Sequence, residues 1–295
     1  MCGRVGCASV PGVRGGLALI LVLCACGPFH DERSPEKSSK RLDIAKDFLT
    51  KHQLEAAEHE CGVAISLNPA NDEAYLTRGL VSLVRARDTE VTLEIDNCLT
   101  GVDAEATHKD MEAALLKADA DFEQALKINP DYGEAWADRG FVRTMLDEYD
   151  RAEDYLNKAL GLPQRLLDPA LTRANLGWAL FHENKLVDAA KELRQTLQFQ
   201  PKMCVANYRL ARVYYAREEW DKAAELFRAV SDDTSCGSQE ASYYLMKAEM
   251  QRGLTCEARA ARDACLKLSP KSCIAAQCRA EGASLTAASC GATPP

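Results

Sequence analysis

From about residue 41 to residue 283, apolar positions recur at helical spacing, and turn signals break the pattern at regular intervals. Four of these breaks share one form, in which a proline directly follows a helix-like stretch: Asn68-Pro69, Asn129-Pro130, Gln200-Pro201 and Ser269-Pro270. Acidic or capping residues stand where the next helix should begin, at Asn71-Asp72-Glu73, Asp131 and Asp221. Strand patterning is nearly absent. Glu90 to Ile95 shows β-branched alternation but has no partner run, so it reads as loop.

The prolines lie 61, 71 and 69 residues apart. A tetratricopeptide repeat (TPR), a pair of antiparallel helices, occupies about 34 residues. The last two gaps each hold two such units, and the first holds one unit with an insertion. Motif positions follow the same register. Small residues belong where the two helices touch, and large ones fill the gap to the next repeat. Repeat 1 supplies Ala57, Cys61, Ala64 and Pro69; repeat 2 supplies Tyr75, Gly79, Ala118, Phe122, Ala125 and Pro130. Repeat 3 has Trp136, Gly140, Ala152, Leu156 and Ala159, and repeat 4 has Leu176-Gly177, Ala189, Leu193 and Pro201. Repeat 5 has Leu210, Tyr214, Ala223 and Phe227, and a degraded repeat 6 has Leu245, Ala258, Cys265 and Pro270. The expected fold is therefore all-α: a right-handed superhelical TPR solenoid of about six helix-turn-helix repeats over residues 41–270. A capping helix over 271–283 closes the last apolar face, and residues 284–295 form a disordered tail.

Gly79 and Ala118 are 39 residues apart where the motif expects 12, so 27 residues are inserted at about 88–114. They fall in the turn inside repeat 2. The helix-prone run from Asp103 through Lys127 implies that the second helix of this repeat is lengthened and projects.

The N-terminus changes the cellular picture. Arg4 and Arg14 precede a short apolar run, Gly16 to Ala25, too brief to span a membrane and typical of a signal peptide over residues 1–25. Leu23-Cys24-Ala25-Cys26 resembles the bacterial lipobox, which makes Cys26 the lipidated residue. Gly27 lacks the aspartate that, in proteins of that kind, signals retention at the inner membrane. The resemblance thus implies a lipid anchor at the periplasmic face of the outer membrane. Residues 26–40 read as the lipidated cysteine and a flexible tether.

A net charge of −8 argues against a nucleic-acid partner. Of thirteen cysteines, nine remain after the signal peptide and Cys26, which suits an oxidising compartment. Cys204 and Cys236 fall at neighbouring ends of one helix hairpin and are the best disulfide candidates. Cys265 should pair with Cys273 or Cys278 on the capping helix, with Cys278 preferred because Cys273 sits close to the turn. Cys61 takes a buried apolar position as a free thiol. No close C-x2-C pair marks a zinc or redox site. His52 and His59 are two helical turns apart, too far to share a metal. No nucleophile elbow, metalloprotease motif or P-loop occurs. Carboxylates are scattered over helix faces, where solvation is the ordinary explanation. The expectation is no enzyme, no cofactor, no metal and no small-molecule substrate.

A TPR array binds on the face lined by the first helix of each repeat. In this register that face carries Phe141, Trp178, Phe181, Tyr208, Tyr215 and Tyr243, with Arg212 and Lys247 among them. Aromatic and arginine side chains are the usual anchors of interfaces, so repeats 3 to 6 are the expected partner groove. Asn175-Leu176-Gly177-Trp178-Ala179-Leu180 and Gln200-Pro201-Lys202-Met203-Cys204 resemble the TPR pilotins of type IV pili (the Tgl, PilF and PilW type). The irregular connection Leu162 to Pro169 is similar to one in those proteins. The resemblance implies a lipoprotein that assists assembly of a secretin, its protein partner, at the outer membrane. The rival expectation is a TPR scaffold for another envelope machine, such as polysaccharide export, cell-wall synthesis or barrel assembly.

Overall fold

In the computed structural model, which describes residues 34–96, 98 and 100–286, the chain folds as consecutive antiparallel helix pairs. The first four pairs are α1 (Pro35–Thr50) with α2 (Leu54–Leu67), α3 (Asp72–Glu90) with α4 (Val102–Ile128), α5 (Gly133–Met145) with α6 (Tyr149–Leu160), and α7 (Pro169–His182) with α8 (Leu186–Phe199). α9 (Cys204–Ala216) pairs with α10 (Trp220–Asp232), α11 (Gln239–Gln251) pairs with α12 (Thr255–Leu268), and α13 (Cys273–Glu281) caps the array. The six pairs and the cap are those the register predicts, and the architecture is that of a TPR solenoid. No described helix is long and apolar enough to cross a membrane.

Five of the six hairpins, all but the lengthened one of repeat 2, are closed by the same device. His52, Asp147, Asn184, Glu218 and Gly253 all have φ between 58° and 74°, one in each of those turns. The next residue's N–H then returns to a carbonyl in the last turn of the first helix, as in Lys185 N to Leu180 O at 2.9 Å and Glu219 N to Tyr214 O at 2.9 Å. This satisfies carbonyls that a helix end leaves orphaned. Inside the hairpins of repeats 2, 3 and 4, a glycine on the first helix (Gly79, Gly140, Gly177) lets a large side chain of the second come close. A Cβ at Gly79 would lie 2.5 Å from Phe122, and one at Gly140 would lie 2.5 Å from Leu156. Phe122, Leu156, Leu193 and Phe227 are fully buried at equivalent positions. Repeat 6 breaks the rule at Arg262, for a structural reason: Arg262 Nη1 donates to Gly282 O (3.0 Å) and Leu285 O (2.6 Å), fastening the chain beyond α13.

Several sequence expectations need correction. The tether does not extend to residue 40, because α1 begins at Pro35. Ser34 caps it, proline suits its first turn, and Ser38 is fully buried, donating to Ala64 O at 2.7 Å. Residues 1–33, including the signal-peptide stretch and Cys26, lie outside the described residues. At the other end Leu285 is 4 % exposed and packs on the last repeats, so residues 284–286 belong to the cap; residues 287–295 lie outside the described residues.

The insertion also differs from expectation. Glu90 to Ile95 is not loop. α3 runs two turns past the usual hairpin point and continues into a π-helical stretch, Val91–Asp96, so both helices of repeat 2 are lengthened. Thr89 and Thr92 hydroxyls donate to Arg85 O and Asp88 O, giving these β-branched residues a helical partner. Leu93 is buried, and tertiary contact overrides strand propensity here. The lengthened pair reaches the far end of the solenoid. Arg87, Val91, Leu93 and His108 share a cleft of about 570 Å³ with residues 237–240 before and within α11 and with Cys273 of the cap. A Cys98–Cys273 disulfide fixes the contact.

Candidate partner-binding face

The first helices of repeats 4 to 6 place their side chains in a continuous aromatic row. On α7, Trp178 stacks on Phe181 with centroids 4.9 Å apart, and His182 meets Trp178 edge-on at 4.6 Å. On the next repeat Tyr208 approaches Trp178 at 6.3 Å. Tyr244 of α11 continues the row, 6.4 Å from Tyr208 and 5.6 Å from Tyr215. The geometry follows from the repeat. Residues four apart on one helix lie on one face, and the next repeat presents the equivalent face alongside.

Arg212 stands at the centre. Its guanidinium lies 3.9 Å from the Tyr244 ring centroid and 5.5 Å from those of Trp178 and Phe181. It also donates to the Tyr208 hydroxyl at 2.8 Å. Tyr208 is mostly withdrawn from water, and burial pushes its phenol well above the ordinary value. Beside it Arg209 is 8 % exposed, donates to Asn175 Oδ1 at 2.7 Å and lies over Trp178. Burial lowers its pKa to about 10, and repulsion from Arg87 acts in the same direction. His182 is held below its usual value by burial and then by the nearby Arg212 and Arg209.

Five of the eight groove residues expected from sequence therefore come together: Trp178, Phe181, Tyr208, Arg212 and Tyr215. Tyr243 and Lys247 touch the end of the row, 5.0 and 5.9 Å from the Tyr244 ring centroid, but are engaged by the cap. Tyr243 is 5 % exposed, its hydroxyl donates to Glu281 at 2.5 Å, and Lys247 pairs with the same carboxylate at 3.1 Å, so both bind the cap. Phe141 packs half-buried into the separate core between repeats 2 and 3. Sequence reading missed Tyr244, Arg209 and His182. Each sits one residue from a position already chosen, about 100° further round its helix, so helical period alone did not select it.

The cysteines form three bridges among the described residues. Cys204–Cys236 and Cys265–Cys278 are the pairs the hairpin geometry named. Cys98–Cys273, separated by 175 residues, was not foreseen. Cys61 is fully buried, and burial pushes its thiol up to about 12, which removes it as a nucleophile.

One acid stands out on α5. Asp138 keeps a buried carboxylate oxygen without a hydrogen-bond partner among the described residues. Burial, then the charge of Glu134, raises its pKa well above the ordinary carboxylate value. In the window above about pH 4, the folded form keeps a proton that the unfolded chain has lost, so stability falls as pH rises. Asp138→Asn is expected to match the wild type below that window and to exceed it increasingly as pH rises through it. The gain should reach about 1–3 kcal/mol. Urea midpoints from pH 3.5 to 7.5 check this; parallel curves for the two proteins would refute it.

Residues 207–272 match the tetratricopeptide repeat family. No curated protein sequence matches the chain. Among solved structures the chain is similar to PilW, described as a widely conserved type IV pilus biogenesis factor. They share 19 % identity with a TM-score of 0.65, over 82 % of this chain and 98 % of that one. PilF of Pseudomonas aeruginosa is similar at 15 % identity and TM-score 0.61, over 83 % and 98 % of the two chains. A chain of the APC/C hetero-tetramer Cut9–Hcn1 reaches TM-score 0.65 at 12 % identity, over 85 % of this chain and 43 % of the other. At these identities the likeness is one of fold.

Proposed function

We propose that this protein is a non-catalytic, lipid-anchored scaffold of the outer membrane whose aromatic face holds a secretin subunit during pilus assembly. The carrying observation is the row from Trp178 through Arg212 to Tyr244, a concentration of interface-forming side chains on one face. The similarity in fold to PilW and PilF, across nearly the whole length of each, supports the choice of client. The lipobox-like Cys26 supports the anchor. An anchor confines scaffold and client to one surface and raises their effective concentration without new contacts.

A photo-crosslinking residue at Phe181, in cells of the source bacterium, should give a covalent adduct with a secretin subunit. The same residue at Val187, which is 70 % exposed at the start of α8, should not. Cys26→Ser should move the protein from the membrane to the soluble fraction. Absence of a secretin adduct at Phe181 overturns the client, equal labelling at Val187 overturns the face, and a membrane-bound Cys26→Ser protein overturns the anchor.

A further inference from the structure

Most arginines of this acidic chain meet carboxylates, as Arg78 does at Asp121, Arg139 at Asp119 and Arg173 at Glu192. Three that gather at the aromatic face do not. Arg209 and Arg212 sit on α9, and the lengthened α3 carries Arg87 to the start of the neighbouring α11, where it shares a cleft with residues 237–240. None of the three forms an ion pair among the described residues. Arg209 has only the Asn175 amide oxygen and the Trp178 ring, and Arg212 has only the Tyr208 hydroxyl and surrounding rings. Arg87 is exposed, yet it is close enough to act electrostatically on buried Arg209. Glu240 lines the same cleft as Arg87 but forms no ion pair with Arg87, Arg209 or Arg212 among the described residues.

Like charges held together at a half-buried face are unfavourable unless something anionic joins them. The arrangement also has a source that the repeat alone does not supply. In an uninterrupted TPR the helix carrying Arg87 would end near residue 84, at the equivalent of the other hairpin turns. The lengthening of α3 therefore delivers a cation to a face whose arginines lie three repeats later in the chain, and Cys98–Cys273 holds it there.

We infer that the aromatic face recognises an acidic segment of its protein partner, with Arg209 and Arg212 on the floor and Arg87 on the lengthened α3 gripping carboxylates from two sides. Trp178, Phe181 and Tyr244 would take the apolar side chains between those carboxylates. The chain as a whole carries a net charge of −8, so acidic segments are repelled elsewhere and binding is confined to this locus. The inference rests on the partner-holding role proposed above and adds the chemistry of what is held.

Fluorescence anisotropy on the full lipidated protein in detergent tests it with two labelled peptides, four repeats of Gly-Glu-Phe and the same peptide with Gln for Glu. The Glu peptide should bind at least about tenfold more tightly, with the difference shrinking as salt rises. Arg87→Glu should weaken it by about tenfold or more while leaving the Gln peptide unchanged. Because Arg87 is exposed, that variant carries little folding risk; Arg212→Gln gives the same reading from the floor of the face. Equal affinity for the two peptides, or an Arg87→Glu protein that binds as the wild type does, overturns the acidic preference. Tighter binding to vesicles of anionic phospholipid than to the Glu peptide overturns it too. A secretin adduct at Phe181 together with equal peptide affinities would sink this inference alone and leave the scaffold role standing.

Discussion

Replacing both Cys98 and Cys273 with serine is expected to cost more stability than removing either of the other bridges. A disulfide stabilises chiefly by shrinking the unfolded ensemble, and the effect grows with the loop it closes. Sequence separations of 175, 32 and 13 correspond to about 5, 4 and 3 kcal/mol. The long bridge has a second role. It joins repeat 2 to the capping helix, whereas contacts in a solenoid otherwise run only between neighbours. Without it the lengthened hairpin keeps only the cleft contacts of residues such as Val91 and Leu93. Trypsin should then cut at Arg87 and Lys109, exposed side chains whose peptide bonds the bridged protein holds in helix. Thermal unfolding should show the end repeats melting first, because a linear array frays where a closed one does not. Identical melting curves and digestion patterns for the double variant and wild type would mean that the bridge does not join the two ends in solution. In the binding experiment the same variant should behave partly like Arg87→Glu, since Arg87 depends on the bridge for its position.

The helical hairpins were legible in the sequence because each is specified locally. The prolines, the Gly79, Gly140 and Gly177 contact points, and the large residues opposite them recur at a fixed period and need no knowledge of distant parts. Two bridges were legible for the same reason, since Cys204–Cys236 and Cys265–Cys278 close within neighbouring elements. What failed was non-local. Cys98–Cys273 connects residues that only the curvature of the assembled repeats brings together. The π-helical stretch Val91–Asp96 reads as strand or loop by propensity and becomes helical through contacts with the far end. Tyr243 and Lys247 were assigned to the groove by helical period, which is correct for their helix, but the cap that covers them is set by tertiary packing. Acidic residues on α4 looked like a solvated face, and two of them are buried.

Those two acids carry the largest expected side-chain effect. Asp119 and Asp121 are two residues apart on α4 and so point to nearly opposite sides of the helix. Asp121 takes both prongs of Arg78 from α3, at 2.9 and 2.6 Å. Asp119 faces α5, where its Oδ1 accepts from Arg139 Nε at 2.8 Å and its Oδ2 also accepts from Arg143. Asp119, Arg139 and Arg143 are 8 %, 7 % and 5 % exposed, which places two cations and one anion inside the joint between repeats 2 and 3. Asp119→Ala should leave Arg139 with a 3.9 Å ion pair to partly exposed Glu123 and the Tyr155 ring at 4.7 Å, while Arg143 keeps Glu148 at 2.9 Å. Breaking a buried pair from one side costs about 3–5 kcal/mol, which for a chain of this size lowers Tm by about 6–20 °C. The triple replacement Asp119→Leu, Arg139→Met, Arg143→Leu should recover most of that loss, because apolar side chains of similar volume avoid desolvating any charge. Calorimetry on the single and triple variants separates the two contributions. If Asp119→Ala melts within 2 °C of wild type, the buried cluster is not load on the fold. If the triple variant melts as low as the single one, the packing of this joint, and not its charge, sets its stability. The joint also fixes the direction in which α4 and the rest of the insertion leave the solenoid. The single variant should therefore lose preference for the Glu peptide at temperatures where its helical content is still intact, since Arg87 no longer meets α9 once repeat 2 turns on repeat 3.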